Sequence, residues 1–277
     1  MKNILLPTDF SENSINAINY ALKLFANSEI KFHILNVQKT SDYITSELIS
    51  SSPSDSIYKG VLEDNRLKIE KLVEQLKAEN YSSKFTFKRL IDYDVFIDAI
   101  RQVIKLHEID LIIMGTNGAT GAKEEIFGSN TMKVIRNINC PVIAVPEKYR
   151  FCKINRILFS IHSEMKKYFS ELKPLRSIMR IYEPELDVLE ITEDAKQPNN
   201  GEDDLTIGDL LYEFKFKKFE IKKVPFIYAI ETFQQLIPTD LHALFVEKER
   251  FFDRILFGSK NSKLTYNSKV PLLIMHP

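Results

Sequence analysis

Three glycines carry the part of this sequence whose residue types and spacing point to chemistry. Two residues lie between Gly115 and Gly118, nine lie between Gly118 and Gly128, and Ser129 follows directly. Glycine lets a backbone approach a ligand closely, and the N–H groups that open a helix attract anions. The pattern therefore points to a phosphate group held by main chain rather than to a covalent reaction. Gly121 is additional to it. No Gly-Lys-Ser/Thr run follows the glycines, which excludes the Walker phosphate loop. The spacing and the late position exclude the dinucleotide fingerprint.

Such glycines need a buried strand before them and a helix after them. The apolar run 109–114 ends at Gly115, and a helical pattern covers 132–137. Cys140-Pro141 then leads a second apolar run, 142–145. Ser129, Asn130 or Thr131 can cap the helix. Upstream, an apolar strand at 3–6 breaks at Pro7-Thr8-Asp9. Ile15, Ile18, Leu22 and Phe25 follow at helical spacing. A strand covers 32–37, and residues 39–56 read as a Ser-rich surface loop. Ile69, Leu72, Val73 and Leu76 mark a second helix, 84–90 alternates like an edge strand, and Ile97, Ile100, Ile104 and His107 mark a third helix. His107 reads as a helix-end residue. Strands alternating with helices imply a parallel sheet with helices on both faces, and ligands bind where the strand order reverses. Asp9 follows the first strand and Gly115 the fourth, so segments about 105 residues apart converge if the order is 3-2-1-4-5. Asp9 by itself also reads as a turn-stabilising residue.

The spacing of Gly115, Gly118, Gly128 and Ser129, with Pro7-Thr8-Asp9 after the first strand, resembles the universal stress protein family. That resemblance implies the order 3-2-1-4-5 and a bound ATP, with or without Mg2+. It places Pro7, Thr8 and Asp9 by the adenosine, and the main chain of Val37 on the adenine edge. Met114 and Gly115 lie along the nucleoside, and Gly118, Gly128, Ser129, Asn130 and Thr131 surround the phosphates. It also implies a regulatory role in stress response.

The chain then repeats itself. Residues 156–161 (RILFSI) match 3–8 (NILLPT), which sets Ser160 against Pro7 and His162 against Asp9. Residues 241–246 match the strand before Gly115, Gly258-Ser259 match Gly128-Ser129, and the run from Val270-Pro271 matches that from Cys140-Pro141. Counting back places Phe245 and Lys248 where Gly115 and Gly118 stand. Strands are expected at 186–191 and 218–224, a loop at 192–204, and helices at 205–214 and 227–236. The expected architecture is α/β: two tandem Rossmann-like (flavodoxin-like) domains, 1–147 and 151–277. Each is a five-stranded parallel sheet with helices on both faces, and the second is degenerate and binds no nucleotide. The two Pro-led strands, from Pro141 and from Pro271, are expected to join the halves as an intramolecular pseudo-dimer, with homodimerisation left open. His162 and His276 read as surface-turn histidines.

Composition narrows the classes. At 277 residues the length suits two domains. Lys plus Arg and Asp plus Glu both number 38, which argues against a nucleic-acid binder. No apolar run reaches the ~20 residues of a membrane span, and the N-terminus is too briefly apolar for a signal peptide. Cys140 and Cys152 make no metal spacing and read as reduced thiols of a cytoplasmic protein. No paired carboxylates or Cys/His pair stand by the glycines, so a non-enzymatic ATP-binding protein is expected. The alternatives are a slow ATPase, or a non-nucleotide scaffold that binds a small, lipid-like molecule.

Overall fold

The computed structural model describes residues 1–38, 55–79, 83–93, 95–116, 127–162, 172–193, 207–245 and 269–276. The first half runs β1 (Asn3–Pro7), α1 (Glu12–Leu24), β2 (Ile30–Val37), α2 (Asp55–Ala78), β3 (Phe85–Asp92), α3 (Phe96–His107), β4 (Leu111–Gly115), α4 (Ser129–Asn137) and β5 (Val142–Val145). The second runs β6 (Arg156–His162), α5 (Lys173–Tyr182), β7 (Glu185–Thr192), α6 (Ile207–Leu210), β8 (Phe216–Lys222), α7 (Phe226–Leu236), β9 (Leu241–Phe245) and β10 (Leu272–Met275).

The strands form one ten-stranded sheet, β3-β2-β1-β4-β5-β10-β9-β6-β7-β8. Each half keeps the order 3-2-1-4-5. The two sheets merge because β5 and β10 pair antiparallel, with Leu273 opposite Ile143 and Leu272 opposite Ala144. Each would otherwise present an open edge, and pairing satisfies both rows of main-chain groups. All other neighbours are parallel. Central strands β4 and β9 are buried at every position, as parallel strands covered on both faces must be. The outer strands β3 and β8 alternate between half-buried and exposed residues along much of their length.

Two cores result, one on each face. Ile4, Leu6, Phe32 and Ile34 pack with α1 and α2, and Ile157, Phe159 and Val188 with α5. Leu5, Leu35, Ile112 and Met114 pack with α3 and α4, and Leu158, Leu189 and Leu244 with α7. Both cores run through the β5–β10 joint. Ser11 starts α1, its hydroxyl accepting from the Ser14 N–H at 3.3 Å, with Glu12 in the first turn. The segment after β5 lies over α1, its Tyr149 and Phe151 rings 6.0 and 5.6 Å from Tyr20. Tyr182 at the end of α5 donates to the Leu24 carbonyl at 2.7 Å.

Several details depart from the sequence reading. Helix α5 is additional to the expected elements. Helix α6 is a single turn, Ile207–Leu210, followed by the fully buried Leu211. His276 is buried rather than on the surface. The expected loops lie outside the described residues over 39–54 and 194–204.

Candidate functional site

The site is built where the strand order reverses. β1 lies between β2 and β4, with Ile4 opposite Leu111 and Leu5 opposite Ile112. The turn after β1 and the end of β4 therefore emerge side by side, as a ligand crevice in this architecture requires. Helix α4 is tied down over the end of β4. The Gly128 N–H donates to the Thr116 carbonyl at 2.5 Å, and the Thr131 hydroxyl donates to the Gly115 carbonyl at 2.8 Å. Thr116 N–H in turn donates to the Val145 carbonyl at 2.9 Å.

The start of α4 differs from expectation in one respect. Its N-cap is Gly128, not Ser129, Asn130 or Thr131, and no side chain caps it. Thr131 is buried with its hydroxyl turned to β4, while Ser129 and Asn130 are exposed. Gly128 has φ −59°, so its glycine is not demanded by backbone conformation. What it provides is the absence of a side chain over the first-turn N–H groups, which carry the positive end of the helix dipole.

Gly115 has a second purpose. A Cβ there would sit 2.9 Å from the carbonyl oxygen of Asn13, so the glycine admits the first turn of α1 against β4. Pro7, Thr8 and Met114 are buried along the crevice floor, and Asp9 is exposed. Asp9 Oδ1 accepts from the Ser11 N–H at 3.0 Å and the Ser11 hydroxyl at 2.5 Å, the turn-stabilising arrangement. Phe10, at φ 62°, completes this turn, and its N–H donates to Thr8 Oγ1 at 3.0 Å. Gly118 lies outside the described residues.

The end of β2 supplies a polar relay that sequence reasoning missed. Thr8 N–H donates to the Leu35 carbonyl, and the Thr8 carbonyl accepts from Asn36 Nδ2, both at 2.8 Å. Gln38 Nε2 donates to Asn36 Oδ1 at 3.4 Å, and Gln38 N–H to the Asp92 carbonyl at 2.9 Å. Main-chain groups alternate sides along a parallel strand. Those of Leu35 face β1 and those of Gln38 face β3, so those of Val37 face the space past the end of β1. Two polar residues closing an apolar strand, Asn36 and Gln38, were the available signal.

At the equivalent place in the second half the same register gives different residues. Ser160 stands for Pro7, Glu190 for Asn36, Thr192 for Gln38 and Phe245 for Gly115. Ser160 Oγ hydrogen-bonds His242 Nε2 in the sheet interior, where burial pushes the imidazole down to about 3. Glu190 pairs with Lys218 at 2.9 Å. Phe245 is fully buried. The His162 side chain, Lys248, Gly258 and Ser259 lie outside the described residues. Among the described residues, no group of His, Cys, Asp or Glu is suited to hold a metal ion, and no helix is long and apolar enough to cross a membrane. His107 ends α3 and stacks on His33 at 4.8 Å.

Residues 1–146 match the Universal stress protein family. Two universal stress proteins of Methanocaldococcus jannaschii are similar to this chain. One is 33% identical over 158 residues, covering 53% of this chain and 96% of that protein. The other is 27% identical over 144 residues, covering 52% and 81%. The crystal structure of a universal stress protein from Archaeoglobus fulgidus is similar in fold over 99% of this chain and 96% of that one. Its TM-score is 0.68, at 16% identity.

Proposed function

This chain belongs to the universal stress protein family, and from that premise we propose that its first half holds one ATP and that the protein is a cytoplasmic regulator rather than an enzyme. The adenosine lies along Pro7, Thr8, Asp9, Met114 and Gly115, with the adenine edge on the main chain of Val37. The phosphates meet the main chain of Gly118, Ser129 and Asn130 over the open face left by Gly128, whose own N–H goes to Thr116. Thr131 acts by holding α4 to β4. What supports this most is the start of α4: an uncapped first turn, anchored by two hydrogen bonds to the end of β4, beside the turn that follows β1. Backbone N–H groups in that setting favour an anion. Mg2+ would come with the nucleotide, since it keeps several waters and is held largely by phosphate oxygens. Both cysteines are free thiols, in keeping with a reducing compartment.

The test is to denature the purified protein, separate the released small molecules by anion exchange against nucleotide standards, and add ATP with Mg2+ to the emptied protein. Released ATP, or a rise in melting temperature with ATP, is the expected result. No nucleotide and no shift at millimolar ATP would overturn the reading in favour of a scaffold. Hydrolysis of the added ATP over the assay would instead make the protein a slow ATPase.

A further inference from the structure

Gln38 follows β2 directly and carries a buried side-chain acceptor. Its residue is 8% exposed, and its Oε1 has no hydrogen-bond partner among the described residues. A buried acceptor in that state costs stability until a donor reaches it.

The direction in which this amide presents itself follows from its neighbours. Side-chain amides are oriented by their hydrogen-bond networks. The Thr8 carbonyl can only accept, so the group facing it at 2.8 Å is Asn36 Nδ2. That turns Asn36 Oδ1 towards Gln38, and an oxygen there can only accept, so it faces Gln38 Nε2 at 3.4 Å. The remaining end of the Gln38 amide is the oxygen. A chain of two hydrogen bonds, starting at the turn after β1, thus fixes the second amide as an acceptor beside Val37. Flipping Gln38 would set two acceptors, its Oε1 and Asn36 Oδ1, against each other.

We infer that Gln38 reads the base of the bound nucleotide, its Oε1 accepting from the exocyclic amine of adenine and selecting a 6-amino over a 6-oxo purine. The inference rests on the ATP reading given above. The adenine amine carries two N–H groups, and the main chain of Val37 engages only one. Gln38 takes the other. A 6-oxo purine puts a carbonyl in the same place, where acceptor meets acceptor. The second half has Thr192 and Glu190 at the corresponding positions, so it cannot repeat the relay. A carboxylate in place of Asn36 has no donor for the main-chain carbonyl.

The experiment compares ATP with inosine triphosphate, whose base has a 6-oxo group and an N1–H where adenine has a 6-amino group and an N1 acceptor, by calorimetric titration of the full chain. Wild type is expected to prefer ATP by about ten- to hundredfold. Gln38→Leu removes the acceptor, so ATP affinity falls about tenfold, inosine triphosphate affinity holds, and the preference narrows about tenfold to what the Val37 main chain supplies. Gln38→Glu keeps an acceptor and is expected to retain most of the preference. Equal loss of both ligands in Gln38→Leu would overturn this inference alone, reducing Gln38 to a support for the β1 turn. An undiminished preference in Gln38→Leu would overturn it too. Wild type that binds neither ligand would overturn the ATP reading along with it.

Discussion

The two halves are the same fold with different chemistry at the same register positions. Both run 3-2-1-4-5, and each places its first and fourth strands side by side. In the first half the fourth strand ends at Gly115, whose bare Cα lets α1 come within contact of β4. In the second it ends at Phe245, a ring that is fully buried. The first half closes β2 with Asn36 and Gln38, amides that can both donate and accept. The second has Glu190, an acceptor paired to Lys218. The lesson is that a crevice at a strand reversal comes with the topology, whereas a ligand site needs a few positions where the fold would accept something else.

That contrast is most sharply tested in the interior. Phe245→Ala removes a fully buried ring and should cost about 3–5 kcal/mol in denaturant unfolding. Gly115→Ala adds a Cβ 2.9 Å from a main-chain oxygen, so α1 must shift, and about 1–3 kcal/mol is expected. If Gly115→Ala were neutral, the glycine would owe nothing to α1 packing. If Phe245→Ala were neutral, the ring would not be what fills the second crevice.

Ligand binding gives the next largest difference. Saturating ATP at about 100 times its dissociation constant stabilises a fold by about 2.7 kcal/mol. Gly128→Val sets a branched side chain over the uncapped first turn of α4 and should abolish that gain. Ser129→Ala should lower it only by about 0.5–1.5 kcal/mol, one hydroxyl contact. Gly258→Val, at the matching glycine of the second half, should leave the ATP-induced melting shift in place. A shift lost in Gly258→Val and kept in Gly128→Val would reverse the assignment of the two halves.

Much of this was legible in the sequence because hydrophobic runs and glycine spacing are local signals. The runs at 109–114 and 142–145 placed β4 and β5, and the matched Pro-led strands anticipated the β5–β10 joint. Less legible was anything set by distant contacts. Gly115 reads in sequence only as a ligand-facing glycine; that it also admits Asn13, about 100 residues earlier in the chain, shows only in the fold. Thr131 looked like a cap, but its hydroxyl satisfies the Gly115 carbonyl across the crevice. Asn36 and Gln38 passed as the tail of a strand, because their meaning depends on the Thr8 carbonyl. Helix α5 is the opposite case: Leu175, Ile178 and Met179 stand at helical spacing and are buried, so this element was legible locally and was missed.

The smallest expected difference between the halves concerns acid, about one pH unit in where a buried imidazole titrates. Among the described residues, each half buries a histidine on a sheet strand: His33 in β2 and His242 in β9. Burial, with His107, Lys31 and Lys88 nearby, pushes His33 down to about 4; burial alone pushes His242 down to about 3. Both values lie below the ~6.5 of an unfolded chain. Between the two, the unfolded state binds the proton and the folded state does not, so stability rises with pH. The contribution is complete above about 6.5 and is lost as pH falls towards the folded value, at up to ~1.4 kcal/mol per pH unit for each group. From pH 6.5 to 4 both histidines should erode stability, and from 4 to 3 only His242 should. Denaturant midpoints across pH 3–7 check this, with His33→Leu and His242→Gln measured beside wild type so that carboxylate titration cancels in the differences. His33→Leu should flatten the profile above pH 4 only, and His242→Gln should flatten it down to pH 3. Identical profiles for the two variants would mean that the buried histidines of the halves titrate alike, and that the second half holds its imidazole no more tightly neutral than the first.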